Sequence, residues 1–162
     1  MKKIGIIGGG QLGKMIAISA KEMGVNTTIL DPNPDSPAFV VCDEKIIANY
    51  DDIKACDELI NTCDIITYEF ENVSLNSIKY IEKFRSVFPS SKILSISQNR
   101  IFEKQFFKDN KLPVAEFKVV NKEKDIIEFC ELYNFPVVIK TATEGYDGKG
   151  QKIIKNFDEI SS

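Results

Sequence analysis

The sequence predicts an α/β protein that begins with a Rossmann-like domain built on a parallel sheet. Short apolar runs alternate with segments whose apolar residues recur at three- and four-residue steps, as expected of strands joined by crossover helices. The first run, residues 3–7, leads directly into a turn at residues 8–13 with the spacing Gly-x-Gly-x-x-Gly. Asp31 ends the second apolar run. These features are typical of the first half of a nucleotide-binding fold.

The composition argues against several other classes of protein. The 162 residues are 43% hydrophobic and 28% charged, which is ordinary for a folded globular chain. The 21 basic and 24 acidic residues give a net charge of −3, whereas a nucleic-acid surface would need clustered positive charge. No apolar run is long enough to cross a membrane, and residues 1–3 lead into a strand without the apolar core of a signal peptide. We therefore expect a cytoplasmic protein that binds neither nucleic acid nor membranes.

Histidine is absent from the sequence, which excludes a Ser-His or Cys-His nucleophile pair and a His-ligated metal site within this chain. None of the four cysteines shows Cys-x-x-Cys spacing. Cys56 and Cys63 are seven positions apart, which is two turns of a helix, so we predict core residues rather than metal ligands. Reduced thiols agree with a cytosolic protein.

The segment after the glycine turn is predicted to be a helix that ends near Gly24, since glycine is common just past a helix end. The residues expected to face the sheet recur at three- and four-residue steps: Leu12, Met15, Ile16, Ala20 and Met23. A second strand is predicted at residues 27–30, which are rich in threonine and branched aliphatic side chains.

Three further elements complete the predicted first domain. They are a strand near residues 45–48, a helix at residues 52–62 and a strand at residues 64–68. The residues of this helix expected to face the core are Ile53, Cys56, Leu59, Ile60 and Cys63. If the strands have the usual order 3-2-1-4, the loops at residues 8–11 and 69–72 leave neighbouring strands and face one crevice. The alternative for residues 69–72 is a solvated acidic turn.

Asp31 leaves a second interpretation of this domain open. An acidic residue about 20 positions after the glycines binds the ribose in NAD enzymes, so residues 1–31 alone would favour an NAD-dependent oxidoreductase. The turn at residues 31–38 contains three prolines, and a proline directly after Asp31 constrains the backbone there. The glycine motif therefore supports the fold better than the cofactor. A non-catalytic nucleotide-binding or assembly module is the third interpretation.

The second half of the chain is predicted to form a separate domain. After a helix that starts at Ser74 or Leu75 and ends at Phe84, Pro89-Ser90-Ser91 breaks the pattern and predicts domains at residues 1–95 and 96–162. The elements expected in the second domain are a helix at 99–110, a strand at 117–120, a helix at 122–133, strands at 136–139 and 151–155, and a short helix from Asp158. The helical residues expected inside are Ile101, Phe102, Phe106, Ile126, Ile127, Phe129 and Cys130.

Lys140 follows a short apolar strand and precedes a loop with three glycines. Strand periodicity places Val138 and Lys140 on one face and Val137 and Ile139 on the other. Glycines allow the loop to bring its N–H groups close to a ligand. Those groups, together with Lys140 and Lys149, would form a cradle for phosphate oxygens. The alternative is a glycine-rich hairpin with solvated lysines.

The loop sequence Gly-Tyr-Asp-Gly-Lys-Gly-Gln at residues 145–151 resembles the nucleotide-covering loop of ATP-grasp carboxylate–amine ligases. It is most similar to that of the N5-carboxyaminoimidazole ribonucleotide synthetase family, whose Thr-x-Glu-x-Glu-Asn-Val segment resembles residues 67–73. The resemblance implies a Rossmann-like pre-ATP-grasp domain at residues 1–95 that binds no dinucleotide. The first part of an α+β ATP-grasp domain would follow at residues 96–162. Members of the family are longer, so the resemblance also implies a fragment that is inactive alone.

The resemblance implies substrates and site residues as well. Members join bicarbonate to the amine of aminoimidazole ribonucleotide in purine biosynthesis, with ATP and Mg²⁺, and act as homodimers; the metal ligands are expected beyond Ser162. The ATP-binding residues implied are Arg100, Lys140, Gly145, Tyr146, Asp147, Gly148, Lys149, Gly150 and Gln151. The substrate-binding residues implied are Gly10, Gln11, Leu12, Glu69, Glu71, Tyr146 and Asp147. The resemblance assigns no certain catalytic residue and no metal ligand within residues 1–162.

Overall fold

A computed structural model describes residues 2–143, 145 and 149–160. The chain divides into two compact units, Met1–Ser95 and Ile96–Ser162. The first unit is an α/β fold with a five-stranded parallel sheet in the order β3-β2-β1-β4-β5. The strands are β1 Lys3–Ile7, β2 Asn26–Asp31, β3 Glu44–Ile47, β4 Ile65–Tyr68 and β5 Ser86–Val87. The predicted order 3-2-1-4 is confirmed, and β5 is a short additional edge strand.

Three crossover helices connect strands of this sheet: α1 Gln11–Glu22, α2 Ile53–Thr62 and α3 Leu75–Ile81. Helix α4, Ser91–Ser97, follows β5. A 3₁₀ turn at Pro37–Val40 lies between β2 and β3. Asp52 caps α2, because its carboxylate accepts hydrogen bonds from two backbone N–H groups of the first turn. Gly24 follows the end of α1 with a φ of +70°, a left-handed conformation that glycine adopts without strain.

The core of the first unit lies on both faces of the sheet. Ile6 and Ile7 are adjacent in β1 and therefore point to opposite faces, and both are fully buried. The Ile6 side packs with α1 and the 3₁₀ turn through Ala17 and Ala38. The Ile7 side packs with α2, α3 and α4. Helices on both faces of a parallel sheet are what a doubly wound α/β fold requires.

The predicted inner face of α1 is partly wrong. Leu12, Met15 and Met23 are 58%, 63% and 72% exposed, while Gly13, Ala17 and Ala20 are buried. The physical reason is the close approach of the helix to the glycine turn: a Cβ on Gly13 would overlap the carbonyl oxygen of Gly8. Small residues therefore face inward. In α2 four of the five predicted residues are buried, and only Ile53, at 51% exposure, is not.

Helix α4 was not predicted from the sequence. Helix α4 starts two residues after Pro89, in a segment assigned only to a domain boundary. The carboxylate of Glu82 accepts hydrogen bonds from both the backbone N–H and the hydroxyl of Ser91, which stabilises this start. Leu94 is fully buried in the core beside α2 and α3. Among the described residues, no helix is long and apolar enough to cross a membrane.

The second unit contains two helices and a hairpin: α5 Arg100–Asp109, α6 Glu123–Tyr133, β6 Val137–Lys140 and β7 Gln151–Ile154. A 3₁₀ turn at Phe157–Glu159 follows. The hairpin is antiparallel, and Lys140 pairs with Gln151. A small core joins Cys130 of α6 to Val137 and Ile154 of the hairpin.

One predicted strand of this unit is absent, and several of its burial predictions are wrong. Residues 113–120 form no regular structure, so the strand predicted at 117–120 is absent. Within the described part of the unit β6 and β7 pair only with each other, and a strand forms only where a neighbour pairs with its backbone. In α5 no residue is buried: Phe102 and Phe106 are 59% and 37% exposed and Ile101 is half-buried. In α6 Ile127 is exposed, whereas Cys130 is buried as predicted.

Candidate functional site

The glycine turn is fixed by the strands on either side of it. The N–H of Gly8 donates to the carbonyl of Leu30 in β2 at 2.9 Å, and Gly8 has a φ of +102°. On the other side, the N–H of Glu69 donates to the carbonyl of Ile7 at 3.0 Å, which extends the pairing of β4 with β1 by one residue. Glu69 therefore leaves β4 directly beside the turn and the start of α1.

The carboxylate of Glu69 caps the N-terminus of α1. Its Oε1 accepts the N–H of Gly10 at 2.8 Å, and its Oε2 accepts the N–H of Gly13 at 2.5 Å. These are N–H groups that the first turn of a helix leaves without an intrahelical partner. The residue at the cap position itself, Gly10, has no side chain that could do this. The two predicted loops thus meet through a pair of charge-assisted hydrogen bonds.

Asp31 holds the other side of the turn. Its carboxylate accepts hydrogen bonds from the N–H of Gly9 at 2.7 Å, from the hydroxyl of Tyr50 at 2.8 Å and from the N–H of Asn33 at 2.8 Å. Burial alone would raise the pKa of Asp31, but these hydrogen bonds and one from Ser36 outweigh it and lower the pKa below its usual value. Both oxygens of the carboxylate are therefore used within the fold.

The remaining predicted substrate residues of the first unit lie at its surface. Gln11 and Leu12 open helix α1 and are exposed, with Leu12 at 58%. Glu71 follows β4 by three residues and is exposed. Gly10 is half-buried under Glu69. The structure therefore brings Gly10 and Glu69 into contact and places the other three on accessible surface at the carboxyl ends of β1 and β4, the edge at which ligands bind in open α/β sheets.

Lys140, in the second unit, ends strand β6. Its side chain is exposed, and the burial pattern of β6 confirms that Val138 and Lys140 share the outer face while Val137 and Ile139 face the core. Ile153 of β7 pairs with Val138, and both are 51% exposed. An amine therefore stands at one end of a small apolar surface, which is an arrangement suited to an anion attached to an apolar group.

The two ends of the glycine loop are joined directly after β6. The N–H of Thr141 donates to the carbonyl of Gly150 at 2.8 Å. Gly150 has a φ of +68°, and a Cβ at this position would lie 2.5 Å from Oγ1 of Thr141. A Cβ on Gly145 would lie 2.9 Å from the same oxygen. Thr141 therefore packs against both glycines, and a larger residue at either position would force its side chain to move.

Arg100 contacts the same loop from the start of α5. Its backbone N–H donates to the carbonyl of Ala142 at 2.8 Å, and its Nη2 donates to the carbonyl of Gly145 at 2.6 Å. Asn99 caps α5 by accepting the N–H of Ile101 at 2.9 Å, which fixes where the helix begins. The structure thus brings Arg100 and the loop together, as expected if both serve one phosphate site.

Comparison with known proteins assigns the family. Residues 1–98 match the model of the ribonucleotide synthetase preATP-grasp domain. The chain belongs to this family. Residues 105–162 match the ATP-grasp domain. The pairing of these two domains agrees with the fold class implied by residues 145–151.

Several proteins match nearly the whole length of this chain, and their names describe the same enzyme. N5-carboxyaminoimidazole ribonucleotide synthase of Staphylococcus epidermidis is 40% identical over 97% of the chain and 42% of its own length. The Staphylococcus aureus enzyme solved with ADP is 40% identical, has a TM-score of 0.90 and is matched over 99% of this chain and 45% of its own. The Aspergillus clavatus enzyme solved with ADP and 5-aminoimidazole ribonucleotide is 26% identical, with a TM-score of 0.85, over 99% and 42%. The chain spans less than half the length of these relatives.

Three residues of the predicted ATP and substrate sets, Tyr146, Asp147 and Gly148, lie outside the described residues. Lys149, Gly150 and Gln151 are described, and all three are exposed. Within the described part of the chain, no group of three or more Cys, Asp and Glu side chains lies close enough together to hold a metal ion. The described residues therefore contain no preformed metal cluster of that size.

Sequence reasoning missed two features of the site. Tyr50, which donates its hydroxyl to Asp31, lies 19 positions away in the loop after β3, and no motif marks it. The capping role of Glu69 was also missed, although the residue itself was singled out. Its partners are 59 and 56 positions away and become visible only once β1 and β4 are known to be neighbours.

Proposed function

We propose that the chain forms the ribonucleotide-side domain and the first part of the ATP site of a ligase. The ligase would carboxylate 5-aminoimidazole ribonucleotide with bicarbonate at the expense of ATP, in purine biosynthesis. The observation that carries the proposal is 40% identity along 97% of the chain to a synthase of that name. The second support is a similar structure solved with both ADP and 5-aminoimidazole ribonucleotide.

In the proposal, the second unit binds the phosphates of ATP. Lys140 supplies a positive charge at the end of β6, and its neighbour Thr141 joins the ends of the glycine loop. Arg100 holds Gly145 through its carbonyl, and its guanidinium retains further N–H donors for a phosphate oxygen. Tyr146, Asp147, Gly148, Lys149 and Gln151 are assigned to the same site by the family resemblance.

In the first unit, the proposed ribonucleotide surface is the edge where β1 and β4 end. Gly10, Gln11 and Leu12 contribute the start of α1, and Glu71 contributes the loop after β4. Glu69 contributes by holding this edge in shape through the N–H groups of Gly10 and Gly13. Tyr146 and Asp147 of the second unit's loop are assigned to the same substrate by the resemblance.

The proposed reaction has two steps. A bicarbonate oxygen attacks the γ-phosphorus of ATP, the bond to the bridging oxygen breaks, and ADP and carboxyphosphate form. The ribonucleotide amine then attacks the carboxyl carbon, phosphate leaves with the electrons of its C–O bond, and the amine loses a proton. This sequence of steps needs no covalent enzyme intermediate, which agrees with the absence of histidine from residues 1–162. The residues named above position the substrates and neutralise phosphate charge.

Magnesium, a homodimer and a cytoplasmic location belong to the same proposal, on the strength of the family resemblance. Magnesium would neutralise phosphate charge, and the resemblance places its ligands beyond Ser162. A homodimer is checked by light scattering on a protein that has the full length of its relatives.

The proposed function is tested by comparing two proteins, the 162-residue chain and a form extended to the full length of its relatives. We expect the extended form to release ADP from ATP only when both bicarbonate and 5-aminoimidazole ribonucleotide are present. We expect no release by the 162-residue chain, because the family resemblance places the magnesium ligands beyond Ser162. An extended form that leaves ATP intact would refute the ligase and favour a non-catalytic nucleotide-binding module. Turnover by the short chain at about 1 s⁻¹ or faster would show that no essential residue is missing from it.

A further inference from the structure

The glycine turn of the first unit has the spacing of a dinucleotide-binding motif, yet the proposed function uses no dinucleotide. In such motifs the N–H groups at the start of the helix bind the diphosphate, because the helix dipole and the unpaired N–H groups attract an anion. In this chain α1 is a 12-residue helix that follows the turn directly. The anion it holds is already part of the protein: the carboxylate of Glu69, with one oxygen on Gly10 and one on Gly13.

The glycines of the turn fit around this carboxylate. A Cβ on Gly10 would lie 2.8 Å from Oε1 of Glu69, and a Cβ on Gly13 would lie 3.0 Å from its Oε2. A Cβ on Gly8 would overlap the Glu69 side chain, and Gly8 also has a φ of +102°. Gly8 and Gly10 thus leave room for an internal side chain, while Gly13 is required first by the carbonyl oxygen of Gly8, 2.3 Å from where its Cβ would lie. Their spacing needs no external diphosphate to explain it.

We propose that Glu69 is a specificity-determining residue that closes the glycine turn to phosphate groups. It occupies with its own carboxylate the N–H groups that a diphosphate would need. Asp31, the other part of the dinucleotide motif, is likewise used internally by Gly9, Asn33 and Tyr50. Both recognition elements of the motif therefore stabilise the fold, and neither remains available to the diphosphate and ribose of a dinucleotide.

Physical chemistry favours the internal carboxylate over a dissolved anion. Glu69 is tethered by the backbone hydrogen bond from its N–H to Ile7, so its carboxylate stays next to the turn without any loss of translational freedom. A diphosphate would have to expel the carboxylate, break two charge-assisted hydrogen bonds and then tolerate a displaced negative charge nearby.

The test is a titration of the 162-residue chain with inorganic pyrophosphate, followed by the amide NMR signals of Gly10 and Gly13. We expect these signals to stay unmoved in the wild-type protein. In Glu69→Ala we expect them to shift at pyrophosphate concentrations at least about tenfold lower than any that perturb the wild type, because both N–H groups become available. Glu22→Ala, which removes the same charge from the far end of the same helix, is the matched control and is expected to behave like the wild type.

Two results would overturn the proposal. One is a shift of the Gly10 and Gly13 signals in the wild-type protein at the same pyrophosphate concentrations that shift them in Glu69→Ala. The other is a folded Glu69→Ala protein whose signals stay unmoved. If Glu69→Ala does not fold, Glu69→Gln replaces it, because glutamine keeps the side-chain shape and one acceptor but loses the charge. We expect pyrophosphate to shift the Gly10 and Gly13 signals of this variant at lower concentrations than in the wild type, though by a smaller factor than for alanine. A Glu69→Gln protein that responds like the wild type would equally overturn the proposal. None of these measurements uses ATP or turnover, so a failure of the proposed ligase function would not affect them.

Discussion

Replacing Lys140 with alanine in the full-length form is expected to weaken ATP binding roughly 10- to 150-fold, which corresponds to about 1.5–3 kcal/mol for a hydrogen bond to a charged group. Lys140 stands exposed at the end of β6, beside a loop whose two ends meet at Thr141 and Gly150. Its ammonium is therefore available to a phosphate oxygen, and alanine leaves that oxygen without this partner. Calorimetry with ATP measures the effect.

Lys152→Ala is the matched control for this experiment. Lys152 lies in β7 opposite Ile139, so its side chain leaves the hairpin on the face opposite to Lys140. Removing it changes the net charge of the hairpin by the same amount, and we expect little loss of ATP affinity. Equal losses for both variants would mean that the lysines act only through net charge, and an unchanged affinity for Lys140→Ala would remove Lys140 from the site.

Replacing Asp31 with alanine is expected to destabilise the first unit by roughly 2–4 kcal/mol, because several donors around a buried carboxylate lose their acceptor together. The N–H of Gly9 and the hydroxyl of Tyr50 are the donors held most firmly within the fold. Urea unfolding measures the loss. Asp35→Ala is the control: it removes an exposed carboxylate from the same loop, and we expect a change within about 0.5 kcal/mol.

The contribution of Asp31 also depends on pH, and the sign follows from its lowered pKa. A carboxyl group whose pKa is lower in the folded protein binds protons less readily there than in the unfolded chain. Its stabilisation is therefore fully present above the ordinary value of 3.8 and is lost as the pH falls through the lower folded value. We expect Asp31→Asn to lack this part of the acid dependence. Identical acid unfolding curves for Asp31→Asn and wild type, apart from a constant offset, would contradict the assignment.

The fold of the first unit could be predicted in detail because local and global signals agree there. Strand β1 is bounded as predicted, and the order 3-2-1-4 follows from general rules for alternating strands and helices. The inner face of α1 could not be read from hydrophobicity. Close packing against the turn selects Gly13 and Ala17, while the larger Leu12 and Met15 stay outside. Periodicity reports which residues are apolar but not how closely a helix approaches its sheet.

The candidate site shows the same limit of sequence reasoning. Lys140 and the ends of its loop could be placed from the strand pattern and the glycines alone. The hydrogen bond from Arg100 to Gly145 joins residues 45 positions apart, and the contact of Glu69 with Gly10 spans 59. Contacts of that separation depend on the folded topology, and no local spacing in one sequence encodes them.

The central claim is that the phosphates of ATP bind to the second unit and that the glycine turn of the first binds no dinucleotide. Parallel NMR titrations of the 162-residue chain with ATP and with NAD test it most directly, since both units report in one spectrum. We predict that ATP shifts the amide signals of Arg100, Thr141 and Gly150 and that neither ligand shifts those of Gly8, Gly9 and Gly10. NAD-dependent shifts along residues 8–13, with residues 140–150 unaffected by ATP, would contradict the account and restore the dinucleotide-binding oxidoreductase.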